Sequence, residues 1–420
     1  MVIKNYLIKI ILLFLVFSKP LFSSQIYDYQ TENLIKKISD RILSVNNYNK
    51  KINFKIINDP FPNAFVNQNN TLFLSSGLLI HSPDYVSLLA VIAHEIGHIE
   101  KYHVPKRISE IGDLKNYNSL SNLAAIAGSM IMQQPELMNA ILFNQTAINN
   151  MYLNFSQDQE KEADLYAVET LNKLNLPTDS IKKFLLILES KSQFNLLDDE
   201  LKKFSTHPLF KERYEIIENK QIKNSNNFDQ NFQNEFNFIK AKFMAYSGYD
   251  HSNELYGDEK IYYEAIQSSL SGNLSNSLKK LNILISKNRN NFFIIETKAD
   301  ILLSYGYNKE AIEFYKKVIK IYPQNNYAKF NIFINKKYSN NNHILTEELF
   351  FNNINLIELF PNNKVLITKL YNLSKIIEST HWISFFEILL YNKNDLKKKL
   401  IQLQKKTEDN NLKKLIKLYI

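Results

Sequence analysis

The chain has 420 residues and contains no cysteine. Disulfides, thiolate nucleophiles and thiolate-held metal sites are therefore excluded, and any metal would have to be held by histidine and carboxylate side chains. Glycine is scarce, with 8 residues. Asn, Ile and Lys are used heavily instead, a bias that fits an AT-rich genome, so Asn-rich patches are not read as functional. Dense Lys/Arg runs with interleaved aromatics are missing, which speaks against a nucleic-acid partner. Long apolar runs are missing too. Residues 116–157 carry Glu136 as their only charge before Gln157, but Asn118, Gln133, Gln134, Asn139, Asn144 and Asn149 interrupt them, and no stretch of about 20 apolar residues survives. That segment reads as amphipathic helices or a lid, or as ordinary core packing. The net charge of +9 suits peripheral contact with an anionic membrane surface or with acidic partners.

A chain of this length is expected to form two domains. Residues 1–24 read as a signal peptide: Lys4 and Lys9 precede an apolar run at 10–17, and Ser18, Ser23 and Ser24 follow. The same pattern could serve as an uncleaved anchor; either way the remainder is exported. Residues 25–49 predict a helix with Leu34, Ile35, Ile38 and Ile42 on one face, and 51–57 predict a strand. Residues 64–66 and 71–75 predict paired strands around a polar turn at 67–70. A helix is predicted from Ser82-Pro83, with Pro in its first position, to about Tyr102, and another over residues 157–174. The Asn- and Gln-rich stretch after 220 reads as a linker, placed at 223–254.

The second half carries a repeat. Gly306, Glu310, Ala311, Tyr315 and Pro323 fit a 34-residue tetratricopeptide pattern, with Ala299 in the first helix. Moving back 34 residues finds Ala265 and Gly272 in equivalent places. Small residues let the two helices of a unit approach, and the glycine makes the turn between them. Residues 255–420 are therefore expected to form a helical repeat domain, with its last units out of clear register.

The chemistry concentrates at His94-Glu95-Ile96-Gly97-His98. Helical residues four apart share a face, so two imidazoles at this spacing can bind one Zn2+ together. Glu95 is turned about 100° away on the helix, close enough to take a proton from an attacking water. A catalytic zinc needs a third protein ligand and an open position. Without cysteine, that ligand must be Asp, Glu or His. Glu160 and Asp164 lie four apart and can face one way; Glu160 is taken as the ligand and Asp164 as hydrogen-bonding an imidazole N–H. Glu162 lies about 200° round the helix from Glu160 and is expected to point elsewhere. Ala163 is small, which would let this helix pack closely on another.

These residues resemble those of the zinc metallopeptidases related to the CAAX prenyl protease and HtpX, and most closely the periplasmic BepA-like group that carries tetratricopeptide repeats. The resemblance rests on Asn63-Ala-Phe65 with Ser76-Gly-Leu78, on the His94–His98 motif, on Glu160 to Asp164, and on Thr206-His207-Pro208 with Arg213. Gln157 departs from it, standing where the family usually has Arg. The resemblance implies a mainly α fold: a helical zincin-type metallopeptidase domain with a small β-sheet at 25–222, followed by the α-helical tetratricopeptide-like domain. It implies one Zn2+ per chain on His94, His98 and Glu160, with Glu95 catalytic. It also implies a periplasmic endopeptidase in outer-membrane protein assembly and quality control, acting on protein or peptide substrates and meeting the assembly machinery through its repeats. His207 sits before a proline, hence on a loop, and is a candidate fourth zinc ligand, plugging the open position, or an oxyanion hydrogen-bond donor. Two rival readings are a non-catalytic assembly chaperone, against which the intact Glu95 argues, and a multi-spanning membrane protease, against which the lack of long apolar spans argues.

Overall fold

The computed structural model describes residues 25–67, 69–106, 155, 157–194, 211–219, 227–248, 250–289, 291–336, 343–391 and 395–420. The expected signal peptide, nearly all of the 116–157 segment and the Thr206-His207-Pro208 stretch lie outside them. The chain divides into two compact units, 1–263 and 264–420, and its architecture is mainly α with one small sheet.

The first unit opens with strand β1 (Gln25–Ile26) and helix α1 (Tyr29–Val45). Asp28 caps α1 by accepting from Thr31 N at 2.8 Å. The predicted face is fully buried at Leu34, Ile35, Ile38 and Ile42. Strands β2 (Asn53–Ile57), β3 (Ala64–Val66) and β4 (Thr71–Ser75) follow. The sheet order is β1-β2-β4-β3, with β2 and β4 parallel and the two outer pairs antiparallel. The expected hairpin between β3 and β4 is present. Asn67 Oδ1 accepts from Asn69 N and Thr71 N at 3.1 and 3.0 Å, and Asn70 takes φ +52°, a conformation asparagine tolerates. Phe65 and Phe73, opposite one another in register, stack at 4.7 Å. Ser75 ends β4 and caps α2 (Ser76–His81), its Oγ accepting from Leu78 N.

Helix α3 (Tyr85–Glu100) starts later than the sequence suggests. Its cap is Asp84, which accepts from Ser87 N at 2.7 Å, so Pro83 precedes the cap rather than opening the helix. Buried on nearly all sides, α3 packs against α1, β3, α4 (Gln157–Lys173) and α5 (Asp179–Phe194). Helix α6 (Lys211–Asn219) packs on α4.

Residues 230–246, placed in the expected 223–254 linker, form helix α7 (Gln230–Tyr246) instead. Phe236, Ile239 and Met244 are fully buried, and α7 packs on α1, α2 and α3. Lys242 Nζ meets Asp28 at 2.7 Å, Lys37 meets Glu235 at 2.9 Å, and Tyr85 N donates to Gln233. Asn and Gln suggested a linker by composition, yet here they occupy the outer face and ends of an amphipathic helix.

The second unit begins within α8 (Gly257–Leu270) and continues through α9 (Leu274–Lys287), α10 (Phe292–Ser304), α11 (Asn308–Ile321) and α12 (Asn326–Asn335). Gly272 and Gly306 close the α8–α9 and α10–α11 turns at φ +84° and +82°, a region costly for any other residue. Ala265, Ala299 and Ala311 are fully buried, as the helix-approach argument requires. Further on, α13 (His343–Asn353), α15 (Lys364–Ile376), α16 (Thr380–Tyr391), α17 (Leu396–Lys406) and α18 (Asn410–Ile416), with the single-turn α14 (Leu356–Leu359), enclose Trp382, Phe385 and Phe386. Among the described residues, no helix is long and apolar enough to cross a membrane.

Candidate metal centre

Helix α3 presents His94 and His98 one turn apart, with their Nε2 atoms 3.0 Å from each other. Helix α4 brings Glu160 to both: Oε2 lies 3.5 Å from His94 Nε2, and Oε1 lies 3.5 Å from His98 Nε2. This approach depends on small residues on both helices. A Cβ on Gly97 would stand 3.1 Å from Tyr166 Cβ and 3.3 Å from Ala163 Cα. All three candidate ligands are buried, and their donor atoms fall within 4.8 Å of one another. Among the described residues no other group of His and carboxylates offers three such atoms. Two imidazole nitrogens and one carboxylate oxygen, sequestered together, form a donor set that fits a transition-type cation such as Zn2+ better than Mg2+ or Ca2+, which prefer all-oxygen sites. Glu95 follows His94 in the helix and is also buried.

Asp164, one turn after Glu160, stands 2.9 Å from His94 Nδ1, as expected from the spacing. It is itself gripped by Arg213 from α6: Nε donates to Oδ2 at 2.6 Å and Nη2 to Oδ1 at 2.7 Å. Arg213 Nη1 also lies 3.4 Å from Glu160 Oε2. Burial would raise the Asp164 pKa, but the Arg213 charge and the His94 contact outweigh it and hold the carboxyl below its usual range. Burial likewise opposes charge on His94, yet Asp164 and Glu160 together raise its imidazole pKa. The sequence named Arg213 only as part of a motif; its role emerges from α6 lying on α4.

His98 is enclosed on its other sides. Phe155 stacks on its ring, with centroids 3.8 Å apart and planes 20° from parallel. His103, which the sequence reading overlooked, places Nδ1 2.9 Å from His98 Nδ1. Glu162, expected to point away, is indeed off the ligand cluster but lies 3.0 Å from His103 Nε2. His207 lies outside the described residues.

Residues 28–221 match the profile of peptidase family M48. The chain is 26% identical over 200 residues to a Vibrio cholerae protein described as a beta-barrel assembly-enhancing protease, a match spanning 47% of this chain and 39% of that one. The beta-barrel assembly-enhancing protease of Escherichia coli K12 is 24% identical over 189 residues, 44% of this chain and 38% of its own length. Metalloprotease LoiP of the same organism is 33% identical over 132 residues, 30% of this chain and 48% of that one. In each case the matched stretch spans less than half of the relative. The His94, His98 and Glu160 cluster lies inside the segment that matches peptidase family M48.

Proposed function

We propose that the protein is an exported zinc-dependent endopeptidase that holds one Zn2+ on His94, His98 and Glu160 and acts in the periplasm on proteins of outer-membrane assembly and quality control. The observation that carries this reading is the convergence of two imidazole nitrogens and one buried carboxylate beside Glu95. Bound there, the ion would supply Lewis acidity to the scissile carbonyl and the attacking water. Glu95 would take that water's proton and pass it to the leaving amine. Asp164 would keep the His94 ring in one orientation through its Nδ1–H. Substrate backbone would add to the sheet at β3, since β4 is already paired on both sides while β3 is an edge beside α3.

The outer-membrane role draws on the names of the relatives, and recruitment of the assembly machinery through residues from about 255 onward draws on the stacked helix pairs. The proposed His207 plug or oxyanion donor rests on the resemblance and on Pro208. The direct test is casein digestion by the wild-type chain beside Glu95→Gln, with metal content measured in both. Cleavage by the wild type and not by the variant supports the reading. Intact casein with both, despite bound metal, would favour a chaperone that works through its repeats.

A further inference from the structure

We propose that His103 is a positioning residue of the metal centre, fixing the tautomer and orientation of His98 through a hydrogen-bond chain that ends on Glu162. The inference rests on the metallopeptidase reading above and concerns residues outside the His94–His98 motif.

The backbone makes the chain possible. In a continuous helix, residues five apart are turned about 140° from each other, so His103 would face away from His98. Helix α3 stops at Glu100 instead. Lys101 N closes on Gly97 O at 3.0 Å and Tyr102 N on Ile99 O at 3.2 Å, and Tyr102 then adopts φ +57°. A left-handed tyrosine costs about 1 kcal/mol. Lys50 braces it, with Nζ 2.9 Å from the hydroxyl and 4.9 Å from the ring centroid. This turn brings the His103 ring, only 1% exposed, back under His98.

Proton placement then follows from donor and acceptor rules. The Glu162 side chain is 55% exposed, and as an ionised carboxylate it can only accept. The 3.0 Å contact therefore puts the proton of His103 on Nε2. The Nδ1 of a neutral His103 is then an acceptor, so the 2.9 Å contact requires His98 to carry its proton on Nδ1. The Nε2 lone pair of His98 is left facing His94 and Glu160. His94 reaches the same tautomer through Asp164, directly. The interposed imidazole does for His98 what a carboxylate does for His94, without adding a further buried anion to a pocket that already holds Glu95, Glu160 and Asp164.

The test measures Zn2+ affinity of the metal-stripped full chain by competition with a chromogenic chelator, together with 15N shifts of the imidazoles. His103→Leu is expected to weaken binding about 10-fold, the lower end for loss of such a partner. It should also turn a pure Nδ1–H spectrum of His98 into a mixture of tautomers. His103→Asn, whose Oδ1 can accept in place of Nδ1, should restore most of the affinity. Glu162→Ala should cost a few-fold, and because that side chain is exposed it reads the chain even if His103→Leu does not fold. Glu160→Ala serves as the reference. If it abolishes binding while His103→Leu and Glu162→Ala bind as wild type, the positioning role is overturned and the metal centre stands. If Glu160→Ala binds as wild type, the centre itself, and the chain with it, is wrong.

Discussion

Arg213 and Asp164 form a two-point ion pair in the interior of the first unit, with both oxygens of one carboxylate facing one guanidinium at 2.6 and 2.7 Å. Through Asp164 the pair reaches His94, so α6 supports the metal centre from behind its candidate ligands. Removing the cation alone would strand a buried carboxylate. Arg213→Met should therefore lower stability by about 3–5 kcal/mol, measured by urea unfolding of the metal-free chain. The double variant Arg213→Met/Asp164→Asn should recover part of that loss, because the Asp164 charge is gone, but not all of it, because Glu160 still loses its contact with the guanidinium. Since the folded Asp164 pKa is depressed, its contribution is complete above the unfolded value of about 3.9 and is lost as the pH falls through the folded value. The stability gap between wild type and Arg213→Met should narrow accordingly in acid.

Glu95→Gln should retain the fold and about one Zn2+ per chain while losing roughly 10²- to 10⁴-fold in peptidase turnover, the range for removal of a general base. An amide fills the same volume at this buried position but cannot take the water's proton. Turnover within a few-fold of wild type, at equal metal content, would remove Glu95 from that role.

The centre was legible because its geometry is local. Four-residue spacing on a helix puts His94 with His98, and Glu160 with Asp164, whatever the surroundings. The hairpin was legible for the same reason: the turn at Asn67–Asn70 is built by its own side chains. His103 was not, because its approach depends on a break at Tyr102 that no periodicity announces and on a contact with α4 that is 59 residues distant in sequence. Arg213 belonged to a motif, but its target could be identified only once α6 was seen against α4. Helix α7 was misread because composition was allowed to outweigh pattern: Phe236, Ile239, Phe243 and Met244 carry the amphipathic spacing through an Asn- and Gln-rich stretch.

Helix α7 implies a different boundary for the catalytic unit. A chain ending at residue 222 should fail to fold stably, whereas one ending at residue 250 should unfold cooperatively. The shorter chain forfeits burial of Phe236, Ile239, Phe243 and Met244, at about 1.5–3 kcal/mol each, which together rival the whole stability of an ordinary domain. It also leaves Asp28 without Lys242. Thermal unfolding followed by far-UV circular dichroism distinguishes the two, and equal melting temperatures would restore the linker reading.

The start of α1 should give the first unit a pH dependence between the ordinary glutamate range and neutrality. Glu32 lies in the first turn, close to the cap Asp28, and burial followed by repulsion from that carboxylate pushes its pKa up to about 7. Asp28 moves the other way: burial opposes its charge, but Lys242 and Thr31 hold its pKa down, so its effect falls in acid. For Glu32 the folded value exceeds the unfolded one. Between the two the folded chain binds more protons than the unfolded chain, and stability must fall as the pH rises through that window. The loss begins near the unfolded value, about 4.3, and is complete once the pH has passed 7. Glu32→Gln is neutral at every pH and should remove this slope. The variant should match wild type near pH 4.5 and exceed it by about 2 kcal/mol at pH 8, a figure reduced for the partial exposure of the side chain. Urea unfolding at the two pH values is sufficient. An equal difference at both would mean that the Glu32 carboxylate ionises as freely in the folded chain as in the unfolded one.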